Sequence, residues 1–115
     1  MQLTSFQKKG EAANTFIHGE NNLGYLLTKN VLRKKIMPVL LEISAKSQTP
    51  LEENSCDTDK FVYCLEGEVE ISVDDTTYNL ASGDSLYFNA SLKHTFVNKT
   101  ALPVKCLVIS APPAL

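Results

Sequence analysis

Two histidines, three cysteines and a scatter of lysines and carboxylates are the side chains of this 115-residue protein with chemistry to offer. His18 stands in a polar N-terminal stretch, and His94 stands in the segment GDSLYFNASLKHTFVN, Gly83 to Asn98. Cys56, Cys64 and Cys106 are odd in number, widely spaced and without a CxxC pair, which reads as reduced thiols and not as a disulfide frame. One thiol with one imidazole is the minimum for a nucleophile, or half of a zinc site. No orienting third group or oxyanion hole shows in the sequence to complete either. Arg33-Lys34-Lys35 and the acidic group Glu68, Glu70, Asp74 and Asp75 read as solvated faces.

Charge narrows the partners. With 11 basic and 13 acidic residues the net charge is -2, so the long-range attraction to phosphate that nucleic-acid binders use is missing. Direct nucleic-acid binding by this chain alone is not expected. No apolar run approaches the roughly 20 residues that span a bilayer, and no apolar block follows the early charges. A cytoplasmic protein with no membrane contact is expected.

The elements that must position these groups are short strands. Met1 to Asn22 lacks a sustained period of 2 or 3.6 and reads as an arm, with a short strand or turn near Phe16 and Ile17. Residues 23–115 read as one all-β domain. Apolar runs punctuated by turn residues place strands near Gly24–Thr28, Ile36–Ser44, Phe61–Leu65, Val69–Val73, Thr77–Leu80, Ser85–Phe88, His94–Asn98 and Val104–Ser110. Turns at Glu66-Gly67 and Asp74-Asp75 predict a meander over Phe61 to Leu80. Pro38 predicts an edge position or a bulge for its strand. On that strand Met37, Val39, Leu41 and Ile43 share one face and read as core. Phe61 to Leu65 is apolar at every position, so both of its faces need cover, from a second sheet, the arm or a second subunit.

Gly83, His94 and Asn98 fall at the spacing of the second cupin signature, G-x5-P-x-G-x2-H-x3-N, with Asn89 and Ser91 in place of its proline and second glycine. FVYCLEGEVEI, Phe61 to Ile71, resembles the end of the first signature, G-x5-H-x-H-x3-E-x6-G, anchored on Gly67. With MPVLLEIS and LVISAPP, the resemblance to the cupin superfamily covers about Leu23 to Pro113. More narrowly, the chain is similar to the sensor domain that follows a helix-turn-helix in bacterial transcriptional regulators. Nothing from Met1 to Asn22 has the hydrophobic spacing of that DNA-binding module. The resemblance implies a single-domain jelly roll, the double-stranded β-helix barrel, and a homodimer.

It also implies where a metal would sit, and there the chain departs from the pattern. Counting back from Gly67 puts the carboxylate ligand at Lys60 and the two histidine ligands at Asn54 and Cys56, leaving only His94. An ammonium in the carboxylate's place repels a divalent ion. The resemblance therefore implies a degenerate metal site and no cofactor. If a transition metal is bound after all, His94 and Cys56 are its ligands, with His18 folding over the mouth as a third.

An inward-facing Lys60 needs a partner: a carboxylate from Glu52, Glu53, Asp57 or Asp59, a bound anion, water, or a route to solvent. Two functional readings follow. In the first, a non-catalytic barrel binds or senses a small, anionic molecule through Lys60, His94 and Cys56. Alternation adds Val62 and Cys64 on the Lys60 face and Phe96 on the His94 face as wall residues. Tyr87 is a further wall candidate, its facing open against Leu86 and Phe88, as is the choice between Cys106–Val108 and Leu107–Ile109 on the last strand. In the second reading, a metal-dependent cupin enzyme of isomerase or dioxygenase type uses a rebuilt ligand set.

Overall fold

A computed structural model describes residues 4–10, 15–19 and 21–114. The other positions of the Met1–Asn22 arm, and the last residue of the 23–115 domain, lie outside the described residues. Ten strands follow in order: β1 (Thr15–Ile17), β2 (Asn22–Leu26), β3 (Met37–Ile43), β4 (Ser47–Gln48), β5 (Asp59–Glu66), β6 (Glu68–Val73), β7 (Thr76–Ala81), β8 (Ser85–Asn89), β9 (His94–Asn98) and β10 (Val104–Ala111). A 3-10 turn at Val31–Arg33 links β2 to β3. No helix among the described residues is long and apolar enough to cross a membrane.

The strands form two antiparallel sheets, one of six strands in the order β1-β2-β3-β10-β5-β8 and one of four in the order β4-β9-β6-β7. Period-2 alternation explains why they stack. β3 and β10 each bury every second residue along their length, so each offers one dry face to the sheet opposite. The larger core joins both sheets, with Ile43, Val62, Cys64, Ile71, Val104 and Cys106 fully buried. A smaller cluster of Leu26, Val31, Met37 and Val39 packs with Phe16 nearer the arm.

Two expectations about local geometry are corrected. Phe61 to Leu80 is not a meander, because β5 pairs with β10 and β8 while β6 pairs with β7 and β9. Gly67 carries the chain from one sheet to the other at φ 88, with Pro103 O 3.2 Å from where a Cβ would sit. That left-handed, crowded corner suits a residue without a side chain. Pro38 lies on an interior strand, between β2 and β10. Its carbonyl accepts from Leu27 N at 3.0 Å, so its missing N–H also faces the spent end of β2 and interrupts no bond to β10. Among the described residues of the arm, β1 extends the sheet beside β2.

Candidate functional site

The barrel holds a cavity of about 340 Å³ lined by the apolar side chains of Phe16, Met37, Val39, Leu41, Phe96 and Val108, with Ala114, and by His18, Glu52, Lys60 and Ser110 at its polar end. Its volume falls in the lower part of the roughly 300–1,000 Å³ typical of small-molecule sites. Backbone pairing assembles the polar end. Glu52 N donates to His94 O at 2.8 Å and His94 N to Glu52 O at 2.9 Å, which puts these two side chains on one face. Lys60, the second residue of β5, stands opposite Phe88 on β8 and Ser110 on β10. The Phe88 ring meets His94 edge-on at 4.9 Å.

His18, Glu52, Lys60 and His94 form one chain of contacts. Lys60 Nζ donates to Glu52 Oε2 at 3.1 Å and lies 3.0 Å from His94 Nε2. His94 Nδ1 lies 2.7 Å from Leu92 O. A carbonyl only accepts, so Nδ1 carries the proton and Nε2 takes the hydrogen bond from the ammonium. His18 Nε2 pairs with the other carboxylate oxygen, Glu52 Oε1. Lys60 is 6% exposed and His94 1%, so the chain runs from the interior to His18 and Glu52, whose side chains are partly exposed.

Protonation follows from those contacts. Burial pushes the Glu52 carboxyl up, but the His18 hydrogen bond and the Lys60 charge outweigh it and hold the group at about 2. His94 is lowered, first by burial and then by the Lys60 charge, against the Leu92 contact that raises it. Both groups therefore bind fewer protons folded than unfolded, so both contribute stability that is lost as pH falls. Loss begins below the ordinary histidine value of 6.5. Glu52 adds roughly 3 kcal/mol, lost between pH 4.5 and about 2. Urea midpoints measured from pH 7 to pH 2 are expected to fall along this course, and Glu52→Gln is expected to flatten the limb below pH 4.5. An unchanged limb in that variant would refute the assignment.

Of the side chains singled out from sequence, Lys60 and Phe96 line the cavity and His94 stands against Lys60. Glu52 is the partner of Lys60 among the four carboxylates considered, and His18 does fold over to the site. Four others are elsewhere. Cys56 is exposed in a turn, its carbonyl bonded by Asn89 Nδ2 at 3.0 Å; the chain there leaves the barrel wall, so a register counted back from Gly67 misplaces it. Tyr87 faces out, 66% exposed, with its hydroxyl on Asp59 Oδ2, because Phe88 takes the inward position. Val62 is fully buried core and lines no part of the cavity. Cys64 lies further along β5, directly opposite Cys106. Burial raises the Cys64 thiol and pushes Cys106 up to about 12, so neither is a ready nucleophile.

On the last strand Cys106, Val108 and Ser110 point inward and Leu107 and Ile109 outward. Ser110 escaped sequence reasoning: only the inward facing of its strand reveals that its lone hydroxyl enters the cavity. Asn54, at another of the family's ligand positions, is not in the lining of this cavity and leaves Oδ1 buried without a hydrogen-bond partner among the described residues. The residues present do not fit the family's metal. Glu52 Oε2 and His94 Nε2 both turn to the Lys60 ammonium. No group of three or more His, Cys, Asp or Glu among the described residues is arranged to hold an ion.

Two facing antiparallel sheets with a cavity between them define a jelly-roll barrel. The chain belongs to the Cupin_2 family, the cupin domain, whose model matches residues 41–110. Among solved structures it is similar to TT1209 from Thermus thermophilus, at 22% identity and a TM-score of 0.74, over 95% of this chain and 98% of that one. The Cupin_2 domain of an XRE family transcriptional regulator from Enterobacter cloacae is similar at 16% identity and 0.65, over 70% and 84%. A sugar phosphate isomerase of the cupin superfamily from Silicibacter pomeroyi is similar at 23% and 0.68; this chain covers 59% of its length and 78% of its own. No curated protein matches the chain in sequence.

Proposed function

We propose that this cupin domain binds a small molecule without metal and without turnover, in the sensing manner of regulator cupins. One observation carries the reading: the Lys60 ammonium lies between Glu52 Oε2 and His94 Nε2, at 3.1 and 3.0 Å. A cation already bonded to both acceptors takes the place a divalent ion would need, and removes the Lewis acid on which metal-dependent cupin chemistry depends. The anionic guest expected from an unpaired lysine gives way, in this reading, to a largely apolar guest, because Glu52 neutralises Lys60. Cys64 and Cys106, opposed and unbridged, suit a reducing cytoplasm.

The test is elemental analysis of protein purified from metal-containing medium, combined with saturation-transfer NMR using ethylbenzene as an apolar probe. Far less than one metal per chain and clear transfer to the probe are the expected results. One equivalent of iron, zinc, manganese or nickel, lost in His94→Ala, would establish the enzyme reading in its place.

The outer face of the six-stranded sheet supports a homodimer. Tyr25, Leu40, Leu107 and Tyr63 lie side by side across four strands, with Pro38, Ile109, Phe61 and Tyr87 in the next row. Tyr63 is left 37% exposed and Tyr87 66%, and a two-fold copy of the same face would cover them further. Light scattering at micromolar concentration is expected to give twice the 12.7 kDa chain mass, and Leu107→Glu to halve it. A monomeric parent protein would refute the dimer.

A further inference from the structure

We infer that the cavity's guest is an uncharged carbonyl compound whose oxygen takes two hydrogen bonds, one from Lys60 Nζ and one from Ser110 Oγ. This inference rests on the binding role proposed above and names the chemical class bound there.

Donor counting carries it. An ammonium has three N–H groups, and Lys60 has Glu52 and His94 as its partners, which leaves one donor at the cavity wall. Ser110 is 1% exposed and lines the same cavity. Its hydroxyl makes no hydrogen bond to any described residue. That hydroxyl lines the cavity, where it can donate to an acceptor oxygen of the guest. Ser110 and Lys60 are direct cross-strand partners of β10 and β5. Such pairs hold their Cβ atoms about 4.5–5.5 Å apart on one face, so both side chains enter the cavity from the same wall.

Charge selects the kind of oxygen. Glu52 is ionised beside Lys60 and also lines the cavity. A guest carboxylate would place a second negative charge around one ammonium in a dry site, and like charges there are mutually destabilising. A ketone, aldehyde or ester oxygen accepts the same two bonds without that penalty. The remaining wall is hydrocarbon and aromatic, and about 340 Å³ equals the volume of roughly eleven waters. A guest of around ten non-hydrogen atoms fits.

Three probes of matched size separate the alternatives: acetophenone, benzoate and ethylbenzene, titrated by two-dimensional NMR into the wild-type protein and Ser110→Ala. Acetophenone is expected to bind tightest. Relative to ethylbenzene, Ser110→Ala should weaken it about fivefold to tenfold, the worth of one hydrogen bond. Tighter binding of benzoate, or an unaltered acetophenone-to-ethylbenzene ratio in Ser110→Ala, would overturn the carbonyl assignment while leaving the apolar binding role standing. Binding of none of the three would overturn both. The wild-type ranking tests the assignment even without the variant.

Discussion

Lys60→Met is expected to lower stability by about 2–4 kcal/mol, with most of the loss recovered in the double variant Lys60→Met, Glu52→Gln. Methionine matches the length and apolar stem of lysine, so the cavity wall is preserved and the change isolates the charge. What remains is a carboxylate whose side chain is only 25% exposed, and an imidazole acceptor with no donor. Removing one member of a buried pair costs about 3–5 kcal/mol, and the partial exposure of Glu52 reduces that figure. Without the ammonium, burial weighs more heavily on Glu52, so its carboxyl should rise from about 2. Urea unfolding of the single and double variants, with a ¹³C titration of the Glu52 carboxyl, measures both effects. A single variant within about 0.5 kcal/mol of wild type, the range of ordinary surface substitutions, would show that the pair does not hold the site together.

Asn98→Ala is the other change with a large expected effect, for a different reason. Asn98 is 1% exposed, and its Nδ2 donates to Ile43 O at 3.2 Å, Ser44 O at 3.2 Å and Leu102 O at 2.8 Å. Its Oδ1 accepts from Thr100 N at 2.9 Å and Thr100 Oγ1 at 2.7 Å. One side chain thus ties the end of β3 to the loop that leads from β9 into β10. Alanine strands those carbonyls, each worth about 1–3 kcal/mol of desolvation if water cannot reach it. We expect a loss of about 3–4 kcal/mol, lowering Tm on the order of 10–15 °C. The Lys60–His94 contact is at the other end of β9, so probe binding at temperatures where the variant is folded should persist. A variant that kept its Tm but lost ethylbenzene binding would instead make Asn98 part of the site. Calorimetry and the same NMR titration decide between these outcomes.

Those two residues also show how far local pattern reaches. Alternation along Met37–Ile43 and Val69–Val73 requires strands with one dry face, and Gly83, His94 and Asn98 at fixed spacing mark the cupin pattern. Strand existence depends on neighbours a few positions apart, and so it is legible. The partner of Lys60 is not, because Glu52 reaches it through a backbone bridge to His94, 42 positions further along the chain. Cys56 stands away from the cavity because a count from Gly67 assumes an unbroken strand, whereas the chain turns at Cys56-Asp57.

From residues alone came the all-β class and the inward faces of β3 and β6, and the resemblance to the cupin signature implied an ammonium at a carboxylate ligand's position. Each is a property of one segment's own periodicity or of one position in a motif. Sheet membership of β5 and β6, the inward hydroxyl of Ser110, and the meeting of His18, Glu52, Lys60 and His94 emerged only when the strands were paired. A strand's pattern records that it has a dry side, but which distant groups share that dry space is set by register across the two sheets, and register is a relation between segments.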